Sequence, residues 1–165
     1  MKFYKFEISL KSGNVVYNTL NKDNYNAYRV YIFKDKWVYV DDSNKEYPID
    51  KNDFSVVVNQ QKISFDCVFN AIHGDPGENG YLQAYFNLIG LPQTSCNMYQ
   101  AALTFNKRDC LSVLKPYGIL TAESYYLNFG DEIKPEEIVA KVGLPCFVKA
   151  NKAGSSFGIT KVYKT

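Results

Sequence analysis

Pro145-Cys146-Phe147-Val148-Lys149 is an apolar run closed by a lysine, and Gly154-Ser155-Ser156-Phe157-Gly158 follows it four residues later. A second β-like run, Ile159-Thr160-Lys161-Val162, comes directly behind. The order predicts a strand–loop–strand hairpin. Backbone N–H groups in a Gly/Ser-rich turn bind phosphate oxygens without side-chain clashes, and a lysine on the entering strand adds a fixed positive charge. That lysine closes a run expected to be buried, where an unpaired ammonium is costly, so a phosphate partner suits it better than an ordinary hairpin of small residues does. The spacing is not that of the Walker A loop, so the cradle belongs to another nucleotide fold. Polyphosphate binding is the chemistry predicted here.

A second cluster is His73-Gly74-Asp75-Pro76-Gly77-Glu78-Asn79-Gly80. It lies between an expected strand and an expected helix, the place where open α/β sheets bind ligands. Its glycines let backbone approach a ligand, and its histidine can donate to a carboxylate; the plain alternative is a turn whose histidine bonds backbone. A third is Asn106-Lys107-Arg108-Asp109 at a helix start, where Lys107 could reach a phosphate, although a solvated surface lysine is the commoner case. Glu136-Glu137 opens a helix, where the macrodipole favours acids, and needs no catalytic role. With one histidine in the chain, no Ser-His-Asp or Cys-His arrangement can be assembled. Cys67, Cys96, Cys110 and Cys146 form no CxxC pair, which argues against zinc. They read as buried free thiols in a reducing compartment.

The elements that must position these clusters alternate. Residues 9–20 read as a helix capped by Ser9 or Ser12, residues 27–33 and 37–40 as a hairpin, and residues 54–58 and 62–65 as a second hairpin around Asn59-Gln60-Gln61. Residues 65–72 are nearly continuously apolar, which predicts a strand buried on both faces of a parallel sheet. Helices follow through Gln83 to Leu88 with a stop at Gly90, over residues 97–105, and over 106–117. Residues 124–127 read as a strand and residues 135–142 as a helix with Pro135 in its first turn and Gly143 at its end. The class is α/β, with a seam near residues 92–95. At 165 residues the chain can bury a core. The 14 Tyr and 11 Phe point to aromatic packing. A net charge of +2 is too small to mark nucleic acid or an anionic membrane as partner. No signal-peptide h-region follows Met1, and no apolar run approaches the ~18 residues of a membrane span, so a soluble cytoplasmic protein is expected.

Residues 65–80 with Gln83 and Gly90-Leu91-Pro92, then Ala101, Leu103, Asn106-Lys107, Gly143 to Lys149 and Gly154 to Gly158, resemble the D-alanine–D-alanine ligase family. Glu7-Ile8-Ser9-Leu10-Lys11-Ser12-Gly13 is similar to that family's first helix. The resemblance implies the ATP-grasp fold: a parallel-sheet substrate domain of pre-ATP-grasp type over residues 1–94, then an incomplete central α+β subdomain over 95–165. It implies a ligase that phosphorylates the carboxylate of one D-alanine with ATP and joins it to the amine of a second, for cell-wall peptidoglycan precursors. On that pattern Lys107 and Lys149 contact nucleotide phosphates. Gly154 and Ser156 offer backbone donors to the transferred phosphate, and Ser155, the catalytic residue of the set, holds the loop. His73 approaches the first D-alanine's carboxylate, and Ile8 lines its pocket. ATP and Mg²⁺ are the implied cofactors, with the Mg²⁺ ligands expected in a C-terminal domain that these residues do not include, and a homodimer is the implied assembly.

Three departures accompany the resemblance. Residues 1–4 do not read as the family's opening strand and Gly-Gly turn, Lys5 stands where the family has a glutamate, and Ala150 stands where a proline is usual. The expectation is a fragment inactive by itself. The alternatives are another ATP-grasp carboxylate–amine ligase and a non-catalytic remnant that binds a partner.

Overall fold

The computed structural model describes residues 2–164, with side chains from Lys5 onward; Met1 and Thr165, the outer ends of the two expected domains, lie outside the described residues. The chain divides into two compact units, Met1–Ala101 and Ala102–Thr165. The division falls inside the helix Met98–Phe105.

The first unit opens with helix α1 (Lys2–Thr19). It starts before the expected cap: Ser9 lies within the helix and donates to the carbonyl of Lys5 at 2.7 Å, the i−4 bond of an internal serine. Five strands follow, β1 (Arg29–Ile32), β2 (Trp37–Val40), β3 (Glu46–Asp50), β4 (Ser55–Val58) and β5 (Gln61–Ile63), paired in sequence order. Every pairing is antiparallel, from Arg29↔Val40 and Ile32↔Trp37 to Val58↔Gln61. The sheet is therefore a meander, and the parallel sheet expected from sequence is corrected. β3 was not legible because Pro48 argues against a strand. The β3–β4 ladder pairs Ile49 and Asp50 and does not call on Pro48 for a donor.

Residues 65–72 supply the physical reason for the correction. Among the described residues they make one parallel bridge, Val68↔Gln93, through Val68 N–H to Pro92 O at 2.8 Å and Thr94 N–H to Val68 O at 3.0 Å. Beyond it, the Asn70 side chain captures the Ile72 amide at 3.1 Å and donates to Gly77 O at 2.7 Å. Phe69 is exposed. The run is extended chain pinned by a side chain, not a doubly buried strand.

Helix α2 (Tyr81–Leu88) covers the sheet. Its Leu82 and Phe86 pack with Ile49, Phe54 and Val56 into the core. Trp37, Phe65, Tyr85 and Phe86 surround Phe54 with ring centroids 5.0–6.1 Å away, mostly edge-on or tilted. The aromatic excess is thus spent on packing here. Helix α3 (Met98–Phe105) crosses the division between the units.

The second unit holds α4 (Lys107–Leu114), a 3₁₀ turn (Lys115–Tyr117), α5 (Pro135–Val142) and the antiparallel hairpin β6 (Cys146–Lys149) and β7 (Ile159–Val162). α5 has the expected bounds, with Pro135 in its first turn, Gly143 at φ 73° behind it, and Glu137 paired to Lys134 at 3.3 Å. Residues 124–127 form no strand; Tyr126 and Leu127 are exposed, and Arg108 lies over the Tyr126 ring at 4.9 Å. The cysteines are also corrected: all four are free, but Cys67 and Cys96 are exposed and Cys110 and Cys146 half-buried. No helix among the described residues is long and apolar enough to cross a membrane.

Candidate functional site

In the first unit, α1 and the loop 73–80 hold His73 from three directions. Ser9 Oγ accepts the His73 amide at 3.0 Å, and Ser12 Oγ lies 2.9 Å from His73 Nε2. On the opposite ring edge, His73 Nδ1 faces Glu78 Oε1 at 3.8 Å, while the other Glu78 oxygen accepts the Gly74 amide at 2.7 Å. Ser9 and Ser12 are three residues apart on one helix face, so α1 fixes both the backbone and the ring of the histidine. Ile8, adjacent to Ser9, is half-buried on the same helix.

The loop's glycines answer to neighbouring protein atoms. A Cβ at Gly77 would lie 2.3 Å from the carbonyl oxygen of Ile72, and one at Gly74 (φ 77°) 2.8 Å from Cδ and Nζ of Lys5. Gln83, almost fully buried, donates to Gly77 O at 2.6 Å and leaves its own oxygen buried without a hydrogen-bond partner. The lysine at position 5 therefore leans over the histidine loop, bringing a cation to a place where the resemblance implies an acid.

The second unit carries the other sequence-marked residues. Gly154 to Phe157 forms a tight turn, closed by Phe157 N–H to Gly154 O at 3.1 Å, with Ser155 (φ 54°) and Ser156 (φ 57°) both in the left-handed region. That conformation costs roughly 1–2 kcal/mol at each non-glycine residue. Both serines are exposed, and Gly158 (φ 67°) completes the loop. Lys149 is exposed too, its ammonium 5.5 Å over the Phe147 ring. The expectation that it closes a buried run is overturned: Phe147 and Val148 are 56% and 58% exposed.

Lys107, in contrast, is engaged. Its ammonium donates to Asn151 O at 3.3 Å and to Ala153 O. Asn151 Oδ1 accepts the Arg108 amide at 2.9 Å, and Asn106 caps α4 by accepting from the Asp109 amide. The structure thus joins Lys107 to the loop 150–158, and joins His73 to α1. Sequence reasoning marks Ser9 and Ser12 only as helix caps and Glu78 only as a member of the loop 73–80, and does not single out Asn151. The Ser-x-x-Ser spacing on a predicted helix was the available signal for the first two; for Asn151 there was none beyond its place in the loop.

Among solved structures the chain is similar to the D-alanine-D-alanine ligase from Coxiella burnetii, with a TM-score of 0.81 and 26% identity over 96% of this chain and 52% of that one. It is also similar to the VanG D-Ala:D-Ser ligase from Enterococcus faecalis, with a TM-score of 0.75 and 29% identity over 96% and 52% of the two chains. The mixed α/β fold is that of the N-terminal portion of this class of ligases. Curated relatives agree. The D-alanine–D-alanine ligase of Flavobacterium johnsoniae is 73% identical over 158 residues, 96% of this chain and 49% of the relative. That of Christiangramia forsetii is 62% identical, covering 96% and 48%. The chain spans about half the length of the curated relatives it matches. The family model for the D-ala D-ala ligase N-terminus matches residues 5–96, and that for the C-terminus matches residues 111–165. The chain belongs to the D-alanine–D-alanine ligase family.

Proposed function

We propose that these residues form the substrate-carboxylate and phosphate-loop portions of an ATP-dependent D-alanine–D-alanine ligase. The observation that carries this reading is the loop 150–158, in which Ser155 and Ser156 are exposed and both at positive φ, with Lys149 at its base and Lys107 bonded to its carbonyls. In that reaction a D-alanine carboxylate oxygen attacks the terminal phosphorus of ATP, ADP leaves, and an acyl phosphate forms. The amine of a second D-alanine then attacks the carbonyl carbon and phosphate departs, leaving the dipeptide. Phosphoryl transfer needs positioning and charge stabilisation more than covalent help from the protein.

On this reading the residues divide the work. Lys149 and Lys107 hold nucleotide phosphates; Lys107 has three N–H donors and two are directed at loop carbonyls, so one remains for a phosphate oxygen. The amides of Gly154 and Ser156 line the turn, and Ser155 fixes its shape. His73, held by Ser9 and Ser12, meets the first D-alanine's carboxylate, with Ile8 beside it. Residues 1–94 serve the substrate and 95–165 begin the central ATP-grasp subdomain. A cytoplasmic homodimer making peptidoglycan precursors completes the proposal. Mg²⁺ is the metal the family implies. Among the described residues no group of three or more His, Cys, Asp or Glu could hold a metal ion, and on this reading the Mg²⁺ ligands come from the C-terminal domain, with substrate phosphates completing the shell. The 165 residues alone are expected to bind ligands without turnover. The likeness to a D-Ala:D-Ser ligase favours one second reading, in which the amine partner is D-serine.

Binding tests both halves. ATP titrated into the chain is expected to bind, with affinity falling at least about tenfold in Lys149→Ala, the loss of one charge-assisted contact. The single histidine gives one pair of imidazole C–H signals in proton NMR; D-alanine is expected to shift them and L-alanine to leave them in place. Equal ATP affinity in Lys149→Ala, or no discrimination between the enantiomers, would count against the reading. In the full-length ligase, product analysis with D-alanine plus D-serine identifies the amine partner.

A further inference from the structure

We propose that Asn151 is a positioning residue for the phosphate loop, docking residues 150–158 onto the first turn of α4. The inference rests on the nucleotide reading of that loop. A helix leaves its first N–H groups without partners inside the helix, and here each of those at the start of α4 can be followed to an acceptor. The Lys107 amide donates to Asn151 O at 3.4 Å, and the Arg108 amide to Asn151 Oδ1 at 2.9 Å. The Asp109 amide goes to the Asn106 side chain and the Asn106 amide to Leu103 O at 3.1 Å, so that the first bond of the helix's own ladder is Cys110 N–H to Asn106 O at 2.9 Å. One asparagine therefore fills the two outermost positions, with its backbone and its side chain. Its carbonyl accepts from the Lys107 ammonium as well, at 3.3 Å, and that ammonium also reaches Ala153 O.

Two consequences follow. The start of α4 is already occupied by protein oxygens, so it is not where phosphate binds, despite the macrodipole that favours anions there. The ammonium of Lys107 is instead tied to Ala153, the residue before Gly154, so charge and turn amides keep a fixed separation while the loop stays exposed. A loop of small residues has a high entropic cost of ordering. Bonds made beforehand by Asn151 lower the part of that cost that falls on nucleotide binding.

Amide hydrogen exchange on the full chain, paired with ATP titration, tests this. In Asn151→Ala the backbone carbonyl stays and Oδ1 is lost. Exchange at Arg108 and across residues 152–158 is expected to quicken about fivefold, the size of one net hydrogen bond, while β6 and β7 keep their protection. ATP affinity is expected to fall by a similar factor. Asn151→Asp keeps the acceptor and is expected to restore slow exchange. Unchanged loop exchange in Asn151→Ala would overturn the proposal, and so would faster exchange with undiminished ATP affinity. A parent chain that binds no ATP at all overturns the nucleotide reading itself; the exchange data then describe a docked loop with no part in phosphate binding, and the proposal falls with it.

Discussion

Hairpins β4–β5 and β6–β7 both contain two consecutive non-glycine residues with positive φ, and they use them differently. Asn59 (φ 49°) and Gln60 (φ 67°) are the whole connection between Val58 and Gln61, which are paired. A two-residue connection must twist with its strands, and the turns that do so need positive φ. Ser155 and Ser156 lie inside a connection running from Ala150 to Gly158, between the pair Lys149↔Ile159. A connection of that length has many ways to close, so strand geometry does not impose the left-handed pair. The first hairpin also carries Val56, 1% exposed, into the core, whereas β6 leaves Phe147 and Val148 more than half exposed. One hairpin is architecture; the other displays a loop.

The largest test of that contrast is in packing. Phe86, 1% exposed, has its ring 5.0 Å from Phe54 and 5.3 Å from Tyr85. Phe86→Ala is expected to destabilise the first unit by about 3–5 kcal/mol, the range for truncating a buried aromatic. Trp37, the single tryptophan, sits 5.0 Å from Tyr85 and reports this by fluorescence in urea. Phe147→Ala, which removes an exposed ring with the ammoniums of Lys149 and Lys161 5.5 and 5.7 Å from its centroid, is expected to cost about 1 kcal/mol or less, read by exchange of the β6 amides. Equal costs would erase the distinction between core and display.

Acid separates the hairpins next. Asp53, beside β4, accepts from Lys62 at 2.6 Å and from the hydroxyl and amide of Ser55 at 2.6 and 3.0 Å. The Lys62 bond first, then those from Ser55, lower its pKa from 3.8 to about 2. Because the folded value lies below the ordinary one, this contribution is fully present above pH 3.8 and is lost as pH falls through about 2. Urea midpoints measured from pH 5 down to 2 are expected to fall less steeply in Asp53→Asn than in the parent. Parallel profiles would remove Asp53 as a source of acid sensitivity in this hairpin.

What the chain disclosed before its structure was known follows from the same contrast. Hairpins β1–β2, β4–β5 and β6–β7 and helices α2 to α5 announce themselves through local pattern: β-rich runs on either side of short polar turns, Pro135 and Gly143 around α5. The sheet's handedness of pairing does not. Residues 65–72 have the composition of a parallel strand, but whether a strand forms depends on distant partners, and the Asn70 side chain takes the amide a ladder would need. Site residues divide likewise. Lys149 and the Gly/Ser loop carried a chemical expectation from residue type and spacing, whereas Lys107 carried little by itself and the role of Ser155 came only with the family resemblance. Ser12 and Asn151 were not legible as site residues: each matters through a partner far along the chain, Ser12 through His73 and Asn151 through Arg108.

The smallest effect gives the sharpest version of the comparison. Glycine adopts positive φ without the Cβ penalty. Gln60→Gly is therefore expected to relieve strain and raise the stability of the first unit by up to about 1 kcal/mol, after the extra entropy glycine loses on folding. Ser156→Gly makes the same exchange of Cβ for conformational freedom in the display loop, with the same modest gain in the folded state. There, however, on the proposed nucleotide reading, the looser chain has to be ordered around a phosphate. ATP affinity is expected to fall severalfold in Ser156→Gly and to stay level in Gln60→Gly, both measured by titration against the parent chain. If Ser156→Gly bound ATP as tightly as the parent, the left-handed serines would be turn formers like Asn59 and Gln60. The two hairpins would then differ in length and exposure alone.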